Sequence, residues 1–320
     1  MKLGLGESYD NVTVLTPKMR AYLDITKPAS TLGVMGLALM ASLFYFLYMG
    51  EVASIGERLR DVVFVVVTLG FAHGGSQALN MAEDAEMDRD TEHKQNRPIP
   101  SGVITEEEAR TLAWFLLVAA IARAFIVDST FGVGVATLSL MGVFYNLSPI
   151  RAKERIISIP WQAVSRGLLS FPVVWSAYGS ITNPTPWVLG LFMFFYVFGF
   201  QNSADIIDRH ADEEYGIRTF VVEFGVRQTA TIASSSVFLM LAVITAGVEM
   251  GHIPSSFYSM FLILPFCAVM WYHMRFNPHY ISERTGNHPA WLWFYVGMVL
   301  CALIPVITLI VGRFMTAGVL

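Results

Sequence analysis

The sequence predicts an all-α integral membrane protein of nine transmembrane helices, with two related halves that carry acidic motifs. Three observations lead to that expectation. Of the 320 residues, 54% are hydrophobic and only 14% are charged, against about 25% charged in soluble domains. Nine apolar windows approach the length of a bilayer crossing. Two charged stretches, "LNMAEDAEMDRDTEHKQNRPIPSG" (Leu79–Gly102) and "FQNSADIIDRHADEEYGIRT" (Phe200–Thr219), match one another and close the second and sixth windows.

The windows fall at 29–50, 61–82, 108–127, 130–148, 157–179, 186–206, 229–250, 256–273 and 289–313, so residues 1–320 read as a single polytopic membrane domain. Residues 1–28 hold no continuous apolar stretch and no small-residue cleavage site, which favours a cytosolic lead-in over a signal peptide. The third span has a marked start, because Thr105 with Glu108 three residues on forms a capping box. Short connections at Asp128–Ser129 and Gly179–Pro184 make their flanking helices antiparallel hairpins. Cys267 and Cys301 both fall inside apolar windows and read as buried small hydrophobes.

Lys and Arg set the orientation. The leading segment and the connections after even-numbered windows carry Lys2, Lys18, Arg89, Lys94, Arg97, Arg151, Lys153, Arg218 and Arg284 among others, whereas the opposite side has only Arg58, Arg60 and Arg313. The positive-inside rule then places the N-terminus and the motif loops 80–105, 145–156 and 205–228 in the cytoplasm of a multi-pass cell-membrane protein. The net charge of -4 gives no ground for a nucleic-acid partner.

On a continuing helix Gln77, Asn80, Asp84 and Asp88 share one stripe, and Gln201, Asp205, Asp208 and Asp212 share another. The two overlay as Gln77/Asp84/Asp88 and Gln201/Asp208/Asp212, which suggests an internal repeat. Any single acid here is explained by a solvated loop; two matched stripes on one membrane side are not. Clustered carboxylates at the edge of low dielectric repel one another unless a cation sits among them. Carboxylate and amide oxygens select a hard cation such as Mg²⁺, usually completed by substrate phosphates. The candidate metal ligands are Asn80, Asp84, Asp88, Asp208 and Asp212, the four aspartates being also the candidate catalytic residues.

Four aspartates and a diphosphate carry about -7 and two Mg²⁺ return about +4, leaving roughly three basic side chains to complete neutrality. Lys94, Arg97, Arg151, Lys153 and Arg218 are available, although positive-inside bias explains any one of them equally well. Two prolines stiffen Asn96–Gly102 around Arg97, and "YNLSPIRAKER" (Tyr145–Arg155) adds a tyrosine and more cations. Because the site opens into a membrane bundle, the rest of a diphosphate substrate must be apolar, and a prenyl chain fits. An allylic carbocation is stabilised by aromatic faces and kept from water; Phe144, Tyr145, Trp161, Phe171, Trp175, Tyr178 and the run Leu191–Phe200 could supply them. Arg166 lies inside the fifth span, where a charge costs about 2.5–3.5 kcal/mol. It either snorkels to a structural partner or faces the site and fixes an acceptor or the diphosphate; Gly167 beside it permits close helix approach in both cases. Candidate substrate contacts are thus Asn80, Lys94, Arg97, Tyr145, Arg151, Lys153, Arg166 and Asp205.

These residues resemble the UbiA family of intramembrane prenyltransferases. The family's Asn-Asp-x-x-Asp-x-x-x-Asp is similar to Asn80 through Asp88, its Arg-Pro-Ile-Pro-Ser-Gly to Arg97–Gly102, and its second acidic motif to Asp205–Asp212 with Gly216–Thr219. Its Lys/Arg-Pro start of the first helix resembles Lys27-Pro28, and its Tyr-Ser-Pro loop resembles Tyr145–Lys153. The resemblance implies a bundle around a central cavity, Mg²⁺ bridging the aspartates to a prenyl diphosphate, and transfer to a small or lipidic acceptor that the sequence does not identify. Met81 stands where the family's first motif has its second residue, Asp, and Ala29-Ser30-Thr31 where many members have Asn. Two rivals fit less well: the phosphotransferase run Asp-Gly…Ala-Arg…Gly-x-x-x-Asp-x-x-x-Asp of the CDP-alcohol enzymes is absent, and a cation-coupled transporter should hold its acids near the midplane.

Overall fold

The computed structural model describes residues 15–51, 56–91, 94–280 and 288–316; Lys2 and Arg284, counted above in the charge asymmetry, lie outside the described residues. All regular structure among the described residues is helical. The lead-in holds a short helix, α1 (Pro17–Asp24), with proline at its start and the Thr16 hydroxyl accepting from the Met19 amide at 3.2 Å. Then follow α2 (Pro28–Met49), α3 (Leu59–Glu83), α4 (Ala85–Asp90), α5 (Glu106–Val127) and α6 (Ser129–Asn146). The expected capping box is present at α5: Thr105 and Glu108 satisfy each other's backbone amides. A single residue, Asp128, joins α5 to α6 and caps the second helix through the Thr130 and Phe131 amides, giving the expected hairpin.

The fifth window does not form one helix. It divides into α7 (Ser158–Gln162), a π-helical turn (Ala163–Leu168) and α8 (Ser170–Trp175). The Leu169 amide reaches back five residues to the Val164 carbonyl at 3.0 Å, and Pro172 has no N–H to donate back to the turn before it. Beyond it lie α9 (Thr185–Phe200), α10 (Asp205–Glu214), α11 (Phe220–Glu249), a 3-10 segment (Ser255–Ile263) leading into α12 (Leu264–Phe276), and α13 (Pro289–Thr316). The expected loop 205–228 is therefore mostly helical. Thr219 caps α11 ten residues before the apolar window at 229, and the helix bends at Gly225, whose φ of 75° belongs to the left-handed region. The loop 80–105 likewise contains α4.

Among the described residues seven helical stretches are long and apolar enough to cross a membrane, which makes this a multi-pass membrane protein: α2, α3, α5, α9 continued through α10, α11, the 3-10 segment with α12, and α13. The fourth expected span is the 18-residue α6 and the fifth is the broken segment 158–175. In the bundle α3 lies against α2 and α5, α9 against α11 and the π turn, and α13 against α2 and α12. One apolar core runs through these contacts, with Phe44, Phe171, Trp175, Phe192, Tyr196 and Phe294 at its centre. A second, smaller core joins Ile25 of the lead-in, Leu79 of α3, and Ile99 and Ile104 of the proline loop. Burial of each such side chain contributes about 1.5–3 kcal/mol, so this small core fixes the proline loop over the end of α3. Cys267 and Cys301 are buried and free, as expected.

Lipid does not drive helices together by the hydrophobic effect, so close packing of small residues matters. At Gly167 a methyl group would stand 2.5 Å from the Phe194 Cα and 2.8 Å from the Met193 carbonyl oxygen, both rigid backbone atoms of α9. Gly167→Ala is expected to destabilise by about 1–3 kcal/mol through overpacking, read as a lowered melting temperature in detergent. Gly36→Ala, with nothing within 4 Å of the added methyl, should leave melting unchanged or raise it.

Candidate active site

The face of α3 that carries the first motif bears His73, Gln77, Asn80 and Asp84 at steps of four, three and four residues, a single helical stripe. Asn80 is the node. Lys27, at the foot of α2, donates to its Oδ1 at 3.0 Å, and its Nδ2 donates to Asp84 Oδ2 at 2.9 Å and to Asn146 Oδ1 at 3.1 Å. Asn146 in turn is fixed by donating to the Gly142 carbonyl at 2.9 Å. Three segments, α2, α3 and the end of α6, thus meet on one amide.

Each motif carboxylate that forms an ion pair takes its cation from another segment. Lys153 pairs with Asp84. Arg97 of the proline loop donates to Asp88 Oδ2 at 2.6 Å, and Asp88 is only 1% exposed. Lys94, itself 7% exposed, stands 3.1 Å from Asp208, so the first motif's loop reaches the second motif directly. Two further bonds tie the same loops: Tyr215 donates to Asp90 at 2.8 Å, and the Arg218 amide donates to the Glu154 carbonyl at 3.0 Å. Asp212 is buried beside this layer. The two stripes anticipated from sequence are thereby joined on one side of the bundle.

Not every expected contact is made. Arg151, in left-handed backbone at φ 45°, is held by Glu154 at 2.7 Å, and Arg218 pairs with Glu223. Both cations are engaged by glutamates close in sequence rather than by the aspartates. Asn80, Asp84, Asp88, Lys94, Arg97, Lys153 and Asp208 form the connected layer, while Tyr145 and Arg166 line a cavity of about 650 Å³ just within it.

That cavity has a polar end made by Lys27, Ser30, His73, Tyr145, Gln162 and Arg166, and an apolar remainder that includes Ala38 and Ala41 of α2, Phe171 and Val174 of α8, and Met298 and Ala302 of α13. Gln162 donates to the Tyr145 hydroxyl at 3.0 Å, and Ser30 Oγ lies 2.9 Å from His73 Nε2. Burial pushes the Lys27 ammonium down to about 8; Arg97 and Arg166 push the same way, against Asp84 and Asp88. Of the aromatics anticipated from sequence, Tyr145, Trp161 and Phe171 line the cavity, and the run 191–200 contributes Met193 alone. Trp175 and Tyr178 belong instead to an aromatic layer with Phe44 and Tyr45, where the Tyr45 and Trp175 rings lie 4.8 Å apart.

Four positions of the cavity's polar end and the aspartate layer lacked a sequence argument of their own: Ser30, His73, Asn146 and Gln162. His73 could have been found, because the Gln77–Asp88 stripe extends one turn further back to it. Asn146 and Gln162 are visible only once α6 and α7 are brought against α3.

Among the described residues no group of three or more His, Cys, Asp or Glu side chains is assembled that could hold a metal ion. The donor chemistry nevertheless fits Mg²⁺. Asp88 Oδ1, Asp205 Oδ2 and Gln201 Oε1 are buried oxygens without a hydrogen-bond partner, and this ion is characteristically held by one or two carboxylates with the remaining positions filled by phosphate and water.

The family model of the UbiA prenyltransferase family matches residues 34–295. The chain belongs to this family. The chain is 27% identical over 189 residues to 4-hydroxybenzoate octaprenyltransferase of Nitrosomonas europaea, covering 58% of this chain and 62% of that protein. It is 27% identical over 186 residues to protoheme IX farnesyltransferase of Renibacterium salmoninarum, covering 56% of this chain and 54% of that one. The alignments thus span less than two thirds of these relatives. In fold, the structure of a UbiA homologue from Archaeoglobus fulgidus bound to DMAPP and Mg²⁺ superposes with a TM-score of 0.67 at 16% identity, covering 90% of this chain and 99% of the other. The apo structure of a homologue from Aeropyrum pernix K1 gives 0.67 at 15% identity, covering 89% and 98%. At such identities the likeness concerns the fold alone.

The Lys94–Asp208 pair joins the two motifs, so the two positions should be coupled. Melting of Lys94→Met, Asp208→Asn and the double variant is expected to show a coupling of at least about 1 kcal/mol, since either single change leaves its partner's buried or half-buried charge uncompensated. Additive effects would mean that the motifs do not touch in the folded protein.

Proposed function

We propose that this member of the family is a Mg²⁺-dependent intramembrane prenyltransferase, moving a prenyl group from a prenyl diphosphate to a small or lipidic acceptor and releasing diphosphate. The observation that carries the reading is adjacency. Lys27 both lines the apolar cavity and bonds Asn80 of the aspartate layer, so a molecule with a charged head and an apolar tail can occupy the two together. The family relatives support it, being an octaprenyl and a farnesyl transferase by name, as does a homologue captured with GPP and Mg²⁺.

In this reading Asn80, Asp84, Asp88, Asp208 and Asp212 hold Mg²⁺, with Asp205 behind them. When bound, the metal offsets the charge gathering on the departing diphosphate. Lys94, Arg97 and Lys153 already stand against those carboxylates and are placed to take diphosphate oxygens as well. The allylic C1–O bond breaks, its electron pair leaves with the diphosphate, and C1 bonds to the acceptor's nucleophilic atom, whose proton passes to the released diphosphate. Tyr145, Trp161 and Phe171 present aromatic surface to the cationic carbon and exclude water from it. The whole chain acts as one domain, all nine helical segments cross the cell membrane, and the motif layer with the N-terminus faces the cytoplasm.

Asn substituted singly at Asp84, Asp88, Asp208 or Asp212 is expected to abolish turnover, measured as product from radiolabelled geranyl diphosphate with an acceptor panel, while the protein stays folded by circular dichroism. EDTA should silence the wild type and Mg²⁺ restore it. Half the wild-type rate retained in two of these variants would defeat the shared-metal arrangement.

Orientation is checked separately. Ser101→Cys and Glu214→Cys should label with an impermeant maleimide only from the cytoplasmic side, and Thr182→Cys only from the other. The native cysteines are buried and add little background. Labelling of positions 101 and 214 from opposite sides would refute the common site.

A further inference from the structure

The short helix α1 turns four pairs of side chains outward, each pair four residues apart and each rotated from the last by about 100°. Three of the pairs have partners. Ala21 and Ile25, 4% and 0% exposed, enter the small core with Leu79 and Ile99. Lys18 pairs with Glu108, and the Tyr22 hydroxyl donates to the same carboxylate at 3.2 Å. Arg20 and Asp24 face one another across 3.9 Å, both well exposed. The fourth pair is Met19 and Leu23, each 50% exposed, and Leu15 just before the Thr16 cap is an exposed apolar side chain as well. Neither the core nor a polar contact accounts for this last face.

Its position in the chain says what covers it. Only Ile25, Thr26 and Lys27 separate α1 from α2, and three residues reach at most about 10 Å. The 22 residues of α2 rise about 33 Å, close to the thickness of a bilayer's hydrocarbon core, so the first turn of α2 stands at headgroup level. There the outer wall of the bundle is already apolar, with Leu32 64% exposed. A helix held at that level with one free apolar face buries it about 5–10 Å into the boundary between headgroups and acyl chains. Charge does not supply the attraction, because Glu108 and Asp24 offset Lys18 and Arg20.

The corner after α1 leads straight to the aspartate layer. The Ile25, Thr26 and Lys27 amides donate to the Ala21, Leu23 and Asp24 carbonyls at 3.1, 3.0 and 3.0 Å. The Thr31 amide donates to the Lys27 carbonyl at 3.0 Å, and the Thr31 hydroxyl to the Thr26 carbonyl at 2.7 Å. Lys27 itself sits in left-handed backbone at φ 46°, a conformation that a residue with a Cβ keeps only where its surroundings hold it. Its ammonium donates to Asn80. We propose that α1 is an interfacial helix: Met19 and Leu23 insert among the lipids on the motif side of the membrane, by apolar contact rather than by charge. The bilayer surface thereby clamps the α1–α2 corner that presents Lys27 to Asn80.

The test uses the full chain in phosphatidylcholine nanodiscs, which leave both membrane faces open to solvent. Met19→Cys, Leu23→Cys and Arg20→Cys are each labelled with an environment-sensitive fluorophore, the native cysteines being buried. Nitroxides on the lipid acyl chains are expected to quench positions 19 and 23 at least threefold more than position 20, and aqueous iodide in the reverse order. Replacing part of the lipid by phosphatidylglycerol should change neither result. Hydrogen exchange of the Ile25–Thr31 amides should rise at least tenfold in Met19→Gln with Leu23→Gln, that of α13 staying as in the wild type. Arg20→Gln with Asp24→Asn, on the solvent side, should change both less than twofold. Equal quenching at the three positions, or stronger iodide quenching at 19 and 23, would overturn the interfacial placement. Protection of 19 and 23 from both quenchers would overturn it too, giving the face to protein such as a second copy of this chain. Lipid quenching that depends on phosphatidylglycerol would replace apolar insertion by charge attraction, and unchanged exchange in the paired Gln variant would sever α1 from Lys27.

Discussion

Carboxylates at the edge of a low-dielectric bundle must find positive charge or stay protonated, and the architecture around α3 and α10 follows from that requirement. The pairing cations for Asp84, Asp88 and Asp208 come from the loop after α6 and from the proline loop. Those loops can reach because the second apolar core clamps Ile99 and Ile104 over Leu79, and because Asn80 binds three segments to one side chain. Remove the need to neutralise these acids and there is no reason for a proline-stiffened, cation-bearing loop to fold back over the end of a membrane helix. The cavity inherits its shape from the same constraint: Lys27 is drawn to Asn80, and α2 is thereby set as one wall.

The sequence shows the helices well where their signals are local. The capping box at Thr105 and Glu108, the one-residue turn at Asp128 and the apolar lengths of α2, α3 and α13 all depend on residues within a few positions of one another. The stripes were legible for the same reason, since helical spacing brings Asn80 and Asp84 together without tertiary information. Helix starts were less so. The run 220–228 is interrupted by Glu223, Gly225 and Arg227 and so falls outside the apolar window, yet Thr219 supplies a cap and the chain bends at Gly225 without ending the helix, so α11 starts earlier.

Tertiary pairing was the hidden part. Arg151 and Arg218 looked equivalent to Lys94 and Lys153 by charge and membrane side, but Glu154 and Glu223 lie close enough along the chain to capture them. The π turn around Arg166 was invisible, because periodicity within an apolar run does not report one extra residue per turn. His73 sat in plain view as a lone histidine in an apolar helix; Gln77 one turn on lies 3.4 Å from its ring, and the closer partner, Ser30 at 2.9 Å, comes from α2.

The bond between Lys94 and Asp208 also bears on how the molecule is made. Lys94 follows the second span and Asp208 the sixth, so during synthesis the first motif emerges long before its counterpart exists. Until α10 has been translated, Lys94 has no carboxylate from the second half to meet, and Asp84 must wait for Lys153. The half-made chain therefore displays charged groups at the bilayer surface that the finished one conceals. Cellular quality control that recognises unpaired charge next to lipid has, in this bond, a mark that separates a completed bundle from one arrested or truncated before its second half.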